Sequence, residues 1–382
     1  MKIAAIHARE INMQLVSPFE TSFGVTHHRR ILLLELHSED GASGWGEVTA
    51  AEGPFYNSET TDTAWGVLRG FLIPLLLGKT FDTPEAVLRA MEPVRGHEMA
   101  KAAVENAVWD AFAKTQSTSL SKLLGGTRSE ISSGVSLGIH QDTGKLLDRI
   151  AQELSAGYQR VKLKIKPGKD VEVVSAVRNK YPDIALTVDA NSAYRLSDIS
   201  LLKQLDAFNL TYIEQPLEWN EIYQHSVLQR QLNTAICLDE CIHGLRDAQA
   251  AIELGACKVI NIKLGRVSGH AEARKIQAHC MERGVPVWCG GMLESGIGRA
   301  HNIAMSSLPG FVLPGDVSAS KRYWEEDIVV PPVEVSAHGT IRVSEAPGIG
   351  FTVNKKRIEK LTVRQEEWAA TQSVGAVAVS AV

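Results

Sequence analysis

This sequence has few cysteines, no long apolar run and no surplus of positive charge. Its five cysteines are scattered over the second half of 382 residues without a CxxC pair, which is typical of reduced thiols in a cytoplasmic protein. A net charge of −4 does not favour binding to nucleic acid or to an anionic membrane. The first residues, Met1 to Arg9, are too polar for a signal peptide, and no apolar stretch reaches transmembrane length. We therefore expect a cytoplasmic protein without nucleic-acid or membrane partners.

The chain length favours two domains. We predict an α+β domain over residues 1–126, with a return of the chain at about 332–365. Its strands are expected at 2–15 and 30–49, with a long loop at 17–28 between them, and its helices at 59–77, 83–94 and 97–115.

From residue 127 to 331 strands alternate with helices, which predicts a parallel α/β sheet. One strand is expected near Gly134, five follow at regular intervals, and two more are expected near Val285 and Gly310. Eight such units predict closure into a barrel. Residues 366–382 are rich in small residues and are predicted to form a disordered tail.

The five regular units each end in a charged residue. Lys164, Asp189, Glu214, Asp239 and Lys263 follow one another at intervals of 25, 25, 25 and 24 residues, and each closes a short apolar run. One interval has room for a strand, a helix and two tight loops. Charged residues at the carboxyl ends of successive barrel strands form the active site in this architecture, so the pattern predicts an enzyme.

The two lysines of this set are expected to act as bases. Four units are half the circumference of an eight-unit barrel, so Lys164 and Lys263 should face each other across its mouth. Lys162 lies on the same strand face as Lys164, and neighbouring ammonium groups lower each other's pKa, which favours a neutral Lys164. Lys166 is expected at the surface. Arg266 either depresses the pKa of Lys263 or pairs with a surface acid, and the sequence leaves both interpretations open.

The three carboxylates of the set predict a metal site. Asp189, Glu214 and Asp239 would lie on three neighbouring strands about 4.8 Å apart. A single acid at a strand end is more typical of a helix cap or a salt bridge, but three in register would repel one another. A divalent cation is the expected neutraliser, and ligands that are all oxygen atoms favour Mg²⁺ or Mn²⁺ over Zn²⁺.

Several segments carry these residues in a specific context. They are Val161-Lys-Leu-Lys, Val188-Asp-Ala-Asn, Ile213-Glu-Gln-Pro-Leu, Leu238-Asp-Glu, Asn261-Ile-Lys-Leu-Gly-Arg-Val, Gly291-Met-Leu-Glu-Ser-Gly-Ile-Gly-Arg, Gly44-Trp-Gly-Glu47 and Trp109-Asp110. With them the chain resembles the enolase superfamily, in its muconate lactonising enzyme subgroup. Within that subgroup it is most similar to the o-succinylbenzoate synthase / N-succinylamino acid (N-acylamino acid) racemase family.

The resemblance implies a fold and a set of site residues. The fold is a modified (β/α)8-type barrel, (β/α)7β, with an α+β capping domain whose loops at 17–26 and 52–59 close over the substrate; homo-oligomers are also implied. Lys164 and Lys263 would be the bases, and Asp189, Glu214 and Asp239 the Mg²⁺ ligands. Contacts to the substrate are expected from Ser136, Asn191, Gly291, Met292, Phe19, Phe23 and Tyr56.

The implied chemistry is removal of the proton α to a substrate carboxylate, with the metal stabilising the enediolate. Reprotonation by the opposite lysine would racemise an N-acyl, especially N-succinyl, amino acid. Loss of a β-hydroxyl would instead give o-succinylbenzoate, a step of menaquinone biosynthesis. Arg266 favours racemase competence, because tuning Lys263 matters only if that lysine carries a proton.

Three alternatives remain at this level. A dipeptide epimerase would need an Asp-x-Asp pair where residues 290–295 read Gly-Gly-Met-Leu-Glu-Ser. Muconate cycloisomerase is a second, less favoured enzyme. A catalytically silent barrel that only binds ligand is the alternative from another class, and the presence of all five charged strand ends argues against it.

Overall fold

The structure is a computed structural model that describes residues 1–370. It begins with an antiparallel sheet of β1 (Ile3–Thr21), β2 (Gly24–Ser38) and β3 (Ser43–Val48), to which the last strand, β15 (Thr362–Ala369), adds beside β1. The prediction of a loop at 17–28 is wrong. β1 and β2 continue through it as a hairpin, because Thr21 pairs with Gly24 across a tight turn.

Three helices cover one face of this sheet. They are α1 (Thr61–Val67), which continues as a π-helical turn (Leu68–Leu72), α2 (Pro84–Met91) and α3 (Glu98–Thr115). α3 lies directly on β3, and two glycines allow this close approach. A Cβ atom at Gly44 would lie 1.9 Å from Ala107 O, and one at Gly46 would lie 1.9 Å from Ala103 O. The Gly-Trp-Gly sequence of β3 is therefore a packing requirement.

Seven parallel strands form the second sheet. Their spatial order is their chain order, from β5 to β11. These strands are β5 (Gly134–Leu137), β6 (Arg160–Lys164), β7 (Leu186–Asp189), β8 (Ile213–Glu214), β9 (Ile236–Leu238), β10 (Val259–Ile262) and β11 (Val287–Cys289).

The eighth strand expected near Gly310 forms only single bridges. Phe311 bridges to Val287 of β11, and Gly315 bridges to Ser133 at the start of β5. These two bridges connect the edges of the seven-stranded sheet through residues 311–315. The result is the (β/α)7β variant of the barrel, in which the last unit closes the ring with little regular pairing.

Helices alternate with the barrel strands. They are α4 (Leu120–Leu124), α5 (Thr143–Ser155), α6 (Asp170–Lys180), α7 (Ile199–Leu202) with 3-10 turns at Leu196–Asp198 and Lys203–Phe208, α8 (Ile222–Gln229), α9 (Leu245–Glu253), α10 (His270–Glu282) and α11 (Gly296–Ser306). None of the helices within residues 1–370 is long and apolar enough to span a lipid bilayer.

The C-terminal part returns to the first domain. Short pairs join β4 (Glu130–Ser132) to β13 (Thr340–Arg342) and β12 (Val329–Val330) to β14 (Thr352–Val353), after a 3-10 turn at Ser320–Arg322 and before α12 (Lys355–Leu361). The prediction of a disordered tail from residue 366 is wrong for residues 366–369. They belong to β15, which extends to Ala369 and buries Trp368 against the core of the capping domain. The rest of that segment, 371–382, lies outside the described residues.

Candidate active site

The charged strand ends meet at the carboxyl edge of the barrel. Lys164 on β6 is in register with Asp189 on β7, and Asp189 is in register with Glu214 on β8. Asp239 follows β9 by one residue and Lys263 follows β10 by one residue. Because neighbouring strands are parallel, residues about 25 positions apart in the sequence come to one edge of the sheet, as the spacing predicts.

Lys164 is held by two side chains of the next strand and loop. Its Nζ lies 2.6 Å from Asp189 Oδ2 and 2.6 Å from Asn191 Oδ1. Asn191 also donates from Nδ2 to Glu240 Oε1 at 2.9 Å. Burial raises the pKa of Asp189, but Lys164 and Lys162 outweigh it, so the pKa lies well below the usual range of an aspartate. The Asn191 side chain, expected to contact substrate, also orients Lys164.

Lys162 is buried among three carboxylates. Its Nζ lies 2.7 Å from Asp316 Oδ2, 2.8 Å from Glu214 Oε2 and 3.1 Å from Asp189 Oδ2. Burial lowers the pKa of Lys162, and these three acids outweigh it, so the pKa is raised. For Lys162 this is opposite to the lowered pKa expected from the neighbouring ammonium group, because three carboxylates surround it.

Asp316 was not found from the sequence. It ends the segment that closes the barrel, and it receives hydrogen bonds from Arg160 at 2.6 Å and from Ser136 Oγ at 3.0 Å. The sequence contains a signal for Asp316, because this residue follows the last apolar run of the barrel, just as each of the other charged residues follows an apolar run. It was missed since it stands 53 residues after Lys263, outside the regular interval.

Lys263 contacts both the capping domain and the barrel. Its Nζ lies 2.7 Å from Asp239 Oδ2 and 3.1 Å from the hydroxyl of Tyr56. Burial lowers the pKa of Lys263, but Tyr56, Glu240 and Glu214 outweigh burial, so the pKa is raised. The lowered pKa that one of the two interpretations of Arg266 expects for Lys263 is therefore not observed.

Arg266 is buried and pairs with no surface acid. Its guanidinium contacts Asp239 and lies 3.1 Å from the Tyr56 hydroxyl, while its Nε donates to Ile242 O at 2.7 Å. Asp239 is thus shared between Lys263 and Arg266. One of the two interpretations left open by the sequence, the pairing with a surface acid, is wrong.

A chamber of about 60 Å³ is lined by both lysines that are candidate bases. Of the expected substrate contacts, Ser136, Gly291 and Phe19 line this chamber together with Lys164 and Lys263. Three residues that the sequence did not predict as contacts line it as well, namely Glu294, Arg299 and Tyr323.

A wider mouth cavity of about 430 Å³ is lined by three more of the expected contacts, Phe23, Tyr56 and Asn191. Met292 lies elsewhere. Its partly buried side chain packs against the core of the capping domain, and it does not line the chamber.

The capping domain holds one wall of the chamber through a buried glutamate. Glu47 of β3 accepts hydrogen bonds from Ser295 N and Gly298 N, each at 3.0 Å. Burial raises the pKa of Glu47 to about 7. Since Ser295 is the N-cap of α11 and follows Glu294, this contact fixes the start of the helix beside the chamber.

The donor set at the strand ends fits a hard divalent cation. Asp189, Glu214 and Asp239 offer oxygen atoms only. Two further oxygens nearby, Glu240 Oε2 and Asn261 Oδ1, are buried without a hydrogen-bond partner among the described residues. Burial raises the pKa of Glu214, and the negative charge of Asp189 raises it further. A cation bound at the three acids would counteract this repulsion between Glu214 and Asp189.

The three acids are spread apart in this structure. Among residues 1–370, the group of His, Cys, Asp and Glu ligand atoms lying within 4.8 Å of one another is His7, Glu35 and His37 on the capping sheet. Asp189 and Asp239 lie outside such a group because their oxygens pair with lysine and arginine. A bound cation would therefore compete with Lys162, Lys164 and Lys263 for the same oxygens.

Comparison with known families covers most of the chain. Residues 3–125 match the N-terminal domain of the mandelate racemase / muconate lactonizing enzyme family, and residues 145–357 match the enolase C-terminal domain-like family. Enzymes of this family depend on a metal ion and act on small molecules.

Relatives and solved structures agree with this match. An o-succinylbenzoate synthase of Geobacillus stearothermophilus is 48% identical over 362 residues, covering 95% of this chain and 96% of the relative. An N-succinylamino acid racemase of Thermus thermophilus is 45% identical over 371 residues, covering 97% and 100%. A crystal structure of an enolase superfamily member from Listeria innocua superimposes with a TM-score of 0.94 at 43% identity, covering 97% and 100%. The chain therefore belongs to the enolase superfamily, in its family of o-succinylbenzoate synthases and N-succinylamino acid racemases.

Proposed function

We propose that this enzyme removes the proton α to a substrate carboxylate and uses the resulting enediolate in two ways. Returning a proton on the opposite face racemises an N-succinyl amino acid. Expelling a β-hydroxyl gives o-succinylbenzoate. The observation that carries the proposal is the placement of Lys164 and Lys263, which come from β6 and β10, in one chamber with the acids between them in the sheet order.

We assign the metal to Asp189, Glu214 and Asp239, with Mg²⁺ as the preferred ion. When bound, it would supply positive charge to the carboxylate oxygens of the substrate as negative charge develops on them. Asn191 and Tyr56 keep contacts to Lys164 and Lys263 that do not depend on the acids, at 2.6 and 3.1 Å. These two side chains would hold the lysines in place when the acids turn to the cation.

The two lysines would exchange roles between substrate enantiomers. For one enantiomer, neutral Lys164 accepts the α-proton at Nζ and the ammonium of Lys263 donates from the other face. For the other enantiomer the direction is reversed. Dehydration needs one lysine as base, and the second ammonium then serves as a positive neighbour. Arg266 supports racemisation by adding a permanent positive charge beside Asp239, the carboxylate whose other oxygen lies 2.7 Å from Lys263 Nζ.

The charge balance of the site supports an anionic substrate. Five cations face five acids in the contact network, namely Arg160, Lys162, Lys164, Lys263 and Arg266 against Asp189, Glu214, Asp239, Glu240 and Asp316. A divalent ion would leave this network with excess positive charge. Because one of the two lysines must be neutral to act as the base, the excess is one positive charge, which the carboxylate of the substrate beside the metal would offset.

Deuterium exchange at the α-carbon tests the proposal. In deuterium oxide with Mg²⁺, the wild-type enzyme should exchange the α-proton of both enantiomers of an N-succinyl amino acid, followed by NMR. Lys164→Ala should lose exchange of one enantiomer and Lys263→Ala that of the other. Lys258→Ala is the matched control, because Lys258 is exposed at the opposite end of β10.

Conversion of the o-succinylbenzoate precursor is measured on the same proteins. Lys164→Ala should abolish it. If Lys263→Ala retained exchange of both enantiomers, the assignment of two bases would be wrong, and absence of Mg²⁺-dependent exchange in the wild type would overturn the proposal as a whole.

A further inference from the structure

A second cavity of about 480 Å³ adjoins the chamber. Phe19 and Tyr323 line both spaces and form the wall between them. The Tyr323 ring has Arg299 on its chamber side, 5.4 Å from the ring centroid, and Arg322, which lines the second cavity, at 5.7 Å. The backbone of β1 is tied to this wall, since Val16 N donates to Tyr323 O at 3.0 Å.

Positive charge dominates the second cavity. Arg149, Lys321 and Arg322 line it, and Glu20 is the one acid among its lining residues. Arg149 and Arg322 share the carboxylate of Glu153, at 2.7 Å from Arg149. We call this space the basic cavity.

Two of these cations have a polar or charged group without a partner among the described residues. Arg322 has a side chain only 9% exposed, and its Nε has no hydrogen-bond partner among the described residues. Lys321 forms no ion pair with any residue of the described range 1–370. Lys321 therefore offers the basic cavity a charged donor for which this part of the chain supplies no acid.

The basic cavity begins one strand away from a proposed base. Leu137 of β5 is in register with Leu163 of β6, so the next residue on each strand brings Gly138 beside Lys164. Gly138 lines the basic cavity, and neighbouring strands are about 4.8 Å apart. An N-succinyl group in extended form places its free carboxylate about 6 Å from the α-carbon of the amino acid, from standard bond lengths.

We infer that the basic cavity binds the free carboxylate of the succinyl group, with Lys321, Arg149 and Arg322 as its cations. The inference rests on the proposed function and assigns the part of the site that distinguishes a succinyl from an acetyl substrate. The α-carboxylate stays in the chamber, while the succinyl chain runs beside Phe19 and Tyr323, which line both spaces. The same contacts would serve the o-succinylbenzoate precursor, which carries the same four-carbon acid.

The test compares N-succinyl and N-acetyl derivatives of one amino acid. The ratio of their kcat/KM values should fall at least tenfold in Lys321→Glu and several-fold in Arg149→Gln, because a charge-assisted contact is lost for the succinyl substrate alone. Lys356→Glu is the control, since it makes the same charge change at an exposed site outside the cavity. Arg322 is left intact because it also donates to Ser136 O at 2.5 Å.

An unchanged ratio in Lys321→Glu, or an equal change in Lys356→Glu, would overturn the inference. A binding measurement separates its failure from that of the proposed function. If the Mg²⁺-loaded wild type turned over neither substrate, calorimetry would still compare N-succinyl with N-acetyl amino acid binding. A tenfold weaker Kd for the N-succinyl ligand in Lys321→Glu supports the basic cavity, and an unchanged Kd overturns it.

Discussion

The ammonium group of Lys162 lies 2.7 Å from Asp316 Oδ2, which joins β6 to the segment that closes the barrel. Asp316 also pairs with buried Arg160 at 2.6 Å. One carboxylate thus neutralises two cations whose side chains are each only 2% exposed. The irregular eighth unit of the barrel is held by charge where regular strand pairing is absent.

The substitution Asp316→Asn should therefore destabilise the protein strongly. Removing one partner of a buried pair costs about 3–5 kcal/mol. The cost arises at Arg160, which pairs with no other acid among residues 1–370, whereas Lys162 keeps Asp189 and Glu214. Urea unfolding measures the loss. Asp183→Asn, at an exposed position, should change the free energy of unfolding by less than about 0.5 kcal/mol. Equal stability of the two variants would show that Asp316 is not needed to compensate these cations.

Two glycine substitutions should have opposite effects on stability, one at the contact of α3 with β3 and one in the open on α1. Gly44→Ala should lower the melting temperature, at a cost of about 1–3 kcal/mol, because its Cβ meets the backbone of Ala107. Gly66→Ala in α1 meets no atom within 4 Å and should stabilise the helix by about 0.5–1 kcal/mol. Calorimetric melting curves check both, and a stable Gly44→Ala variant would contradict the packing argument.

A buried glutamate predicts the pH dependence of stability. Glu105 of α3 accepts hydrogen bonds from His270 N and Ala271 N at 2.8 Å each, at the start of α10. Burial raises its pKa from 4.5 to about 8. An acid with a raised folded-state pKa contributes stability that is fully present below the unfolded pKa and is lost as pH rises through the folded pKa.

Stability should accordingly fall between about pH 4.5 and pH 8, by a few kcal/mol from this group. Glu105→Gln should show a smaller slope of unfolding free energy against pH in that window, whatever its absolute stability. The exposed Glu325 provides the control variant, Glu325→Gln, which should keep the wild-type slope. An unchanged slope in Glu105→Gln would contradict the raised pKa.

Metal loading should stabilise the folded chain independently of activity. At a Mg²⁺ concentration of 100 Kd, binding to the native state alone adds about 2.7 kcal/mol. Thermal unfolding with increasing Mg²⁺ measures this gain, and a chelator should reverse it. Glu214→Gln should lose most of the Mg²⁺ dependence, because Glu214 is one of the three proposed ligands.

The variant His37→Gln is the matched control for the metal experiment. His37 belongs to the group of possible ligands on the capping sheet, so a Mg²⁺ effect that disappears in His37→Gln and persists in Glu214→Gln would move the metal away from the barrel. Mg²⁺ prefers oxygen ligands, and we therefore expect His37→Gln to retain the full stabilisation.

The order of charged residues along the chain was sufficient to predict their meeting place. Whole units of strand, helix and loops repeat about every 25 residues in a parallel sheet, so the charged strand ends reach one edge without any long-range information. These are Lys164, Asp189, Glu214, Asp239 and Lys263. The barrel, the capping domain and the family follow from the same local patterns. The hairpin at 17–28 was mistaken for a loop because its polar residues lack a buried face.

The partners of each charge were decided by the tertiary structure alone. Asp316 reaches Lys162 across 154 residues, and Tyr56 reaches Lys263 across 207. Glu47 caps a helix 248 residues away. Such contacts depend on chain closure and domain docking, which no spacing encodes. The sequence determined which groups gather at the barrel edge. Packing determined which acids Lys162 and Lys263 face, and thereby the direction of their pKa shifts.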